Sequence, residues 1–329
     1  DLKITKDKLP MIRSSFLAAL VILIVSTVAI TAILYYWLRE DLTRCIVYAL
    51  PLSIMSSSIV LPSIHPLTQE KKEFLVYEAS FSDILGILFF NYFTAREILT
   101  IKSIGIFGGS IIIAVVLSLI LSFLLFLILA KTKMNVKFFL VFALLILIYS
   151  GGKLLHLPSL LIILVFGLMI NNWELVPLKK LTRRFPEKEV NSIREFLHSI
   201  TAESSFLIRT FFFILFGFTI DLHFLNNQEV VLLGSLIVIA LFLVRLLYLR
   251  FYLNTKVIPE VFFIPRGLIT IVLFYKIPPY LKLTTFNEGI LFFIILTTGI
   301  ILSIGMILYK KKNVEVIEEP QFTERNDIL

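Results

Sequence analysis

The sequence predicts an all-α polytopic membrane protein, and three observations predict it. The chain of 329 residues is 58% hydrophobic with a mean hydropathy of +0.94, far above a soluble domain. Apolar runs of about 20 residues, the length that crosses a ~30 Å hydrocarbon layer, recur along it between short polar breaks. These runs lack the two-residue alternation of a barrel wall, whereas a helix satisfies its own backbone polar groups in lipid.

Ten spans are expected, at 15–38, 43–63, 73–95, 104–130, 136–152, 157–172, 200–220, 229–250, 259–278 and 286–308. The first is an unbroken apolar run behind a basic opening. The second carries Pro51, Pro62 and the hydroxyls Ser56, Ser57 and Ser58 in mid-span, and the third carries Glu78 and Asp83. The fourth to sixth are apolar and bounded by short polar turns. After them comes "WELVPLKKLTRRFPEKEVNSIRE", residues 173–195, a polar segment expected to lie along the cytoplasmic interface and to divide the helices into two groups. The seventh span holds Arg209, the eighth Arg245, and the ninth Pro265, Arg266 and Gly267. Beyond the tenth, residues 309–329 form a charged, glycine-free tail, read as a solvated, mobile extension.

Proline and glycine weaken a helix, so the second and ninth spans are expected to be discontinuous. Unwound backbone at membrane depth is tolerated where it is buried in protein or lines a wet cavity, and there it can face an ion. Spans one to three, with the broken one second, match spans eight to ten, again with the broken one second, in the opposite orientation. That is the pattern of an inverted repeat.

Lys and Arg concentrate in loops that stay cytoplasmic. Of the 31 here, 21 fall on the side of the N-terminus, 7 on the opposite side, and Arg209, Arg245 and Arg266 within spans. Both ends are therefore expected in the cytoplasm, in a multi-pass cell (inner) membrane protein. The formal net charge of +8 reflects this topology and contact with anionic lipids, and does not call for nucleic acid. No cleavable secretory signal is visible; "DLKITKDKLPMIR" reads as an inter-helix loop, so the complete protein is expected to begin earlier. Cys45 alone makes no disulfide, and His65, His156, His198 and His223 are scattered, so no metal beyond a transported cation and no cofactor is expected.

An ionisable side chain at mid-membrane costs at least ~2.5 kcal/mol on insertion scales and is a functional-site candidate by default. Glu78, Asp83, Arg245 and Arg266 stand out. With about 100° per residue, Glu78 and Ser82 lie about 40° apart on one helix face while Asp83 is about 140° from Glu78, so the two carboxylates need different partners. A buried Glu78–Arg245 pair would neutralise both charges and tie the third span to the eighth. The alternative is that Arg245 snorkels to the headgroups, as Arg209 in "FLIRTFFF" is expected to do. Asp83 then stands alone. Low dielectric penalises its charged form, so it can gain and lose a proton, and its oxygens suit a small hard cation; a structural, hydrogen-bonded Asp is the other reading.

These residues resemble a known family. "EASFSD" is similar to the Glu-x-x-x-Asn-Asp signature of monovalent cation:proton antiporters, with Glu78 and Asp83 in register and Ser82 where Asn, or Asp in electrogenic relatives, stands. "SIMSSSIVLPSI" resembles the crossing-helix motif of that superfamily, in the Ser-Ser-Thr form of its potassium-efflux branch more than the Thr-Asp form of sodium exchangers. "RTFFFILFGFTIDL", Arg245 and "PRGLITI" follow in the expected order.

The resemblance implies exchange of Na⁺ or K⁺ for H⁺ by alternating access. It implies one membrane domain over 1–308, with core helices in 15–95 and 229–308, connecting and interface helices in 104–220, and a cytoplasmic tail after it. Its family has about three helices more at the N-terminus, and a homodimer in the complete protein. Asp83 is implied as the ion- and proton-carrying carboxylate, with Ser82, Ser57 and Ser58 beside it; Glu78 and Arg245 as the core ion pair; and Arg266 as the crossing charge that offsets helix C-terminal dipoles. With Ser82 in place of a second carboxylate, electroneutral exchange is expected. Ser82 and the Ser56–Ser58 run also keep a second possibility open, a non-transporting membrane sensor or assembly protein on the same fold.

Overall fold

The computed structural model describes residues 8–94, isolated positions between 105 and 151, 187–219, 222–253 and 258–318. Most of the expected spans within 104–152, all of 157–172, residues 173–186 and residues 319–329 lie outside the described residues. Among those described, the regular structure is helical: α1 (Leu9–Leu38), α2 (Leu42–Ser53), α3 (Ser57–Ser63), α4 (Gln69–Phe93), α5 (Glu187–Thr219), α6 (Gln228–Tyr248), α7 (Leu268–Tyr275) and α8 (Gly289–Glu318). Five stretches among them are long and apolar enough to cross a membrane: Leu9–Leu38, Leu42–Ser63, His198–Phe218, Gln228–Phe251 and Gly289–Tyr309. The chain is an all-α polytopic membrane protein.

Local chemistry sets the helix ends. The proline of the first turn of α1 loses nothing, because the N–H groups there have no intrahelical partner. Arg39 closes that helix in the left-handed region (φ 54°, ψ 36°) with its N–H on Tyr35 O at 3.0 Å. The Asp41 carboxylate caps α2 through the N–H groups of Thr43 (2.9 Å) and Arg44 (3.4 Å), and the Asn227 side chain caps α6 through Glu229 N–H (3.0 Å).

Two ends differ from the sequence reading. Helix α5 starts at Glu187, so the last part of the polar 173–195 segment is one continuous helix with the span that follows. Helix α8 runs to Glu318, ten residues into the expected solvated tail. Between 309 and 319 there is no glycine or proline, and a helix ends at or before the residue preceding a proline, here Pro320.

The buried face of α1 reads Ser15, Ala18, Ala19, Leu23, Ser26, Ile30, Thr31 and Leu34. This stripe of mostly small residues at three- and four-residue spacing lets neighbouring backbones approach, which drives helix packing where lipid supplies no hydrophobic contrast. Helix α1 packs on α2, α4 and α6, and α6 packs on α8. At the base of the bundle Lys8 donates to Glu73 at 2.7 Å, and this hydrogen bond holds the Lys8 ammonium above the ordinary lysine range.

Between these long helices lie two broken elements. The α2–α3 element unwinds at Ile54–Ser56, with Ile54 (φ −75°, ψ 128°) and Ser56 (φ −77°, ψ 112°) extended. The second has a 3-10 turn at Glu260–Phe262, non-helical backbone through Gly267, and then α7. The breaks meet: Ser56 N–H donates to Pro265 O at 3.0 Å. Close approach requires glycine. A Cβ on Gly267 would stand 2.7 Å from Ser56 Oγ, and one on Gly86 of α4 only 2.2 Å from Cδ1 of the fully buried Ile54.

Gly86→Ala is accordingly expected to destabilise the protein by about 1–3 kcal/mol, overpacking outweighing the ~1 kcal/mol that alanine gains in helix propensity. The check is the thermal midpoint in detergent. An unchanged or higher midpoint would show that Ile54 yields.

Candidate functional site

The polar residues expected at the site sit where the two breaks cross, and they separate into a dry cluster and a half-buried one. In the dry cluster, Glu78 of α4 and Arg245 of α6 form a two-pronged ion pair, Nη1 to Oε1 at 2.7 Å and Nη2 to Oε2 at 3.1 Å, both residues 1% exposed. Two parallel N–H···O bonds make this the strongest geometry open to a carboxylate. Arg245 is therefore not a snorkelling residue. Its Nε donates to Glu260 O at 2.6 Å, which fixes the guanidinium plane.

Arg266 has no carboxylate partner among the described residues; its donors all go to carbonyls. Nε reaches Leu52 O (2.6 Å), Nη2 reaches Ser53 O (3.2 Å) and Nη1 reaches Ile264 O (2.8 Å). Leu52 and Ser53 are the last residues of α2, whose terminal carbonyls have no intrahelical donor, so the cation sits at the negative end of the α2 dipole. Its backbone N–H is held by Thr298 Oγ1 of α8 at 3.2 Å. Ser53, Glu78, Ser82, Arg245 and Arg266 border a small cavity of ≈ 10 Å³, room for about one water.

Ser82 belongs to this dry cluster. Its hydroxyl accepts Met55 N–H at 2.9 Å, so it secures the first break and is turned away from its neighbour Asp83. Adjacent helical residues point about 100° apart, which is why sequence adjacency did not bring them together.

The half-buried cluster holds Asp83, Ser57 and Ser58. The Ser57 hydroxyl, in the first turn of α3, donates to Asp83 Oδ2. Asp83 Oδ1 is buried and has no hydrogen-bond partner among the described residues. Ser58 does not reach the carboxylate: its hydroxyl bonds Ser56 Oγ at 2.8 Å. The arrangement offers one carboxylate oxygen held by a hydroxyl and one left open beside unwound backbone, which suits a proton or a small cation.

Four contacts were not singled out in the sequence. Glu260 holds Arg245 with its carbonyl, and its carboxylate pairs with Lys71 at 2.7 Å, so the start of the second broken element is fastened to α4. Thr298 props the second break from α8. Arg209 does not snorkel: its Nη1 donates to Ser58 O at 3.1 Å. Only this last contact had a signal in the sequence. A helical carbonyl bonds the N–H four residues on; for Ser58 that residue is Pro62, which has none, so the carbonyl needs a donor from elsewhere.

Discontinuous helices that meet at membrane depth are where secondary transporters place their substrate and coupling-ion sites. No curated protein matches the chain. The family described as sodium/hydrogen exchanger, transmembrane, does match, over residues 2–310. With nearly its whole length in that match, the chain belongs to the sodium/hydrogen exchanger transmembrane family.

Proposed function

We propose that the protein exchanges a monovalent cation, Na⁺ or K⁺, for H⁺, with Asp83 as the carboxylate that carries one or the other. Cation/proton exchange is the transport activity of the family. The observation that carries the residue assignment is the open, buried Oδ1 of Asp83 next to the unwound first break. Proton and cation compete for the same oxygens, which couples their movements without any other energy source. Ser57 orients the carboxylate. The Glu78–Arg245 pair and Arg266 hold the break in shape and take no part in binding.

The bond from Ser56 to Pro265 joins the two broken elements and supports their moving as one body. In this reading the helices of 15–95 and 229–308 shift against the others and expose Asp83 to alternate sides. The distribution of Lys and Arg supports a topology with both ends of the chain in the cytoplasm, against anionic lipid of the inner membrane, and a homodimer is the assembly proposed for the complete protein.

The test is proton release from reconstituted vesicles on addition of Na⁺, K⁺ or Li⁺ separately. At least one of them, entering down its gradient, should drive protons out and alkalinise the lumen. Silence with all three would favour the second reading, a sensor or assembly protein on the transporter fold. The observation on that side is that Ser82 and Ser58 turn away from Asp83, leaving Ser57 as the one hydroxyl it meets among the described residues.

Stoichiometry follows from the same geometry. One cation displacing one proton from one carboxylate moves no net charge, and Ser82 does not titrate, so exchange is expected to be independent of voltage. Vesicles clamped at different potentials, or recordings on a solid-supported membrane, check this. A steady current that reverses with voltage and vanishes in Asp83→Asn would reveal a second proton site.

A further inference from the structure

Arg209 stands near the middle of the membrane-length stretch His198–Phe218, on a helix with one face outward, where Phe206, Phe211 and Phe218 are 64%, 63% and 91% exposed, and another on which Phe212 and Phe216 pack against the core. Arg209 itself is half-buried and reaches inward to the Ser58 carbonyl that Pro62 leaves free. Ser58 follows directly on Ser57, the residue in contact with Asp83. Among the described residues no carboxylate makes an ion-pair contact with Arg209. A guanidinium whose partner is a neutral carbonyl keeps its whole charge, and in a low-dielectric setting that charge acts over several ångströms.

We propose that Arg209 sets the cation affinity of the exchange site, as a fixed positive charge delivered from α5 to the first turn of α3. It does so in two ways that have the same sign. Its field opposes a cation at Asp83, and its N–H occupies a carbonyl oxygen that would otherwise be free to turn toward one. The consequence is a site that binds its cation weakly enough to release it. This rests on the reading of Asp83 as the carrier, so the experiment separates the two.

Arg209→Gln removes the charge and, with a side chain two bonds shorter, withdraws the donor from the Ser58 carbonyl, whereas Arg209→Lys keeps the charge. Full-length protein is reconstituted for exchange with Na⁺, K⁺ and Li⁺ in turn, and in detergent its thermal stabilisation by the same chlorides is titrated against choline chloride. The glutamine variant is expected to show a KM and a half-stabilising cation concentration roughly three- to tenfold lower, with a turnover that does not rise in proportion. The lysine variant should keep the wild-type values.

A packing role alone would lower turnover in both variants and leave KM in place. An unchanged or raised KM in Arg209→Gln would overturn the proposal. So would tighter binding in Arg209→Lys, even if the glutamine variant cannot be folded. If wild-type exchange and stabilisation both depend on Asp83 while Arg209→Gln changes neither, this inference alone fails. If wild type shows neither effect of any cation, the carrier reading fails and takes this inference with it.

Discussion

Asp83→Asn is expected to reduce cation-dependent proton movement to the level of protein-free vesicles while leaving a folded, monodisperse protein. Asparagine keeps the shape and one acceptor oxygen for the Ser57 hydroxyl, so the contact between α4 and α3 survives. It cannot take a proton in the working range and brings no charge to a cation, so both halves of the cycle stop at once. The substitution also leaves Ser82 on Met55 N–H and the Glu78–Arg245 pair untouched, because these groups lie in the dry cluster. A variant that exchanges at an undiminished rate would remove Asp83 from the site. In that case Glu260, whose Oε2 is buried without a partner among the described residues, is the next carboxylate to test.

Glu78→Ala or Arg245→Ala should each destabilise the fold by about 3–5 kcal/mol, because each leaves its former partner as an uncompensated charge in a dry interior. Both residues are 1% exposed. Arg245 also supplies the donor to Glu260 O, so its loss frees the second broken element from α6. The decisive comparison is a double substitution. Glu78→Leu with Arg245→Met replaces the pair by large apolar groups and should cost less than either alanine variant, since a buried ion pair is a poor source of net stability. Thermal midpoints in detergent measure all three. A loss in the double variant equal to the sum of the two single losses would mean that the pair is not coupled.

The sequence by itself determined the fold class, seven of the spans that fall on described helices, and the position of both helix breaks, because each of these depends on local chemistry. Apolar length, proline, glycine and capping residues act within one or two turns of the chain. Pairing Glu78 with Arg245 was also within reach, since a mid-membrane charge has so few ways to be neutralised that opposite charges on two spans constrain each other. Tertiary structure alone decided how the hydroxyls divide. Ser82 and Asp83 are neighbours in the chain, yet one serves the Met55 backbone in the dry cluster and the other faces Ser57, because the angle of α4 against the first break selects which side each points to. The same holds for the carbonyl ends of α2, which draw Arg266 from a segment more than two hundred residues away. It holds again for Arg209, which helical pattern alone assigns to the headgroups. A free carbonyl and a free guanidinium are each visible as a local deficit, but which deficits cancel is a property of distance in three dimensions, set by packing and not written in any one segment.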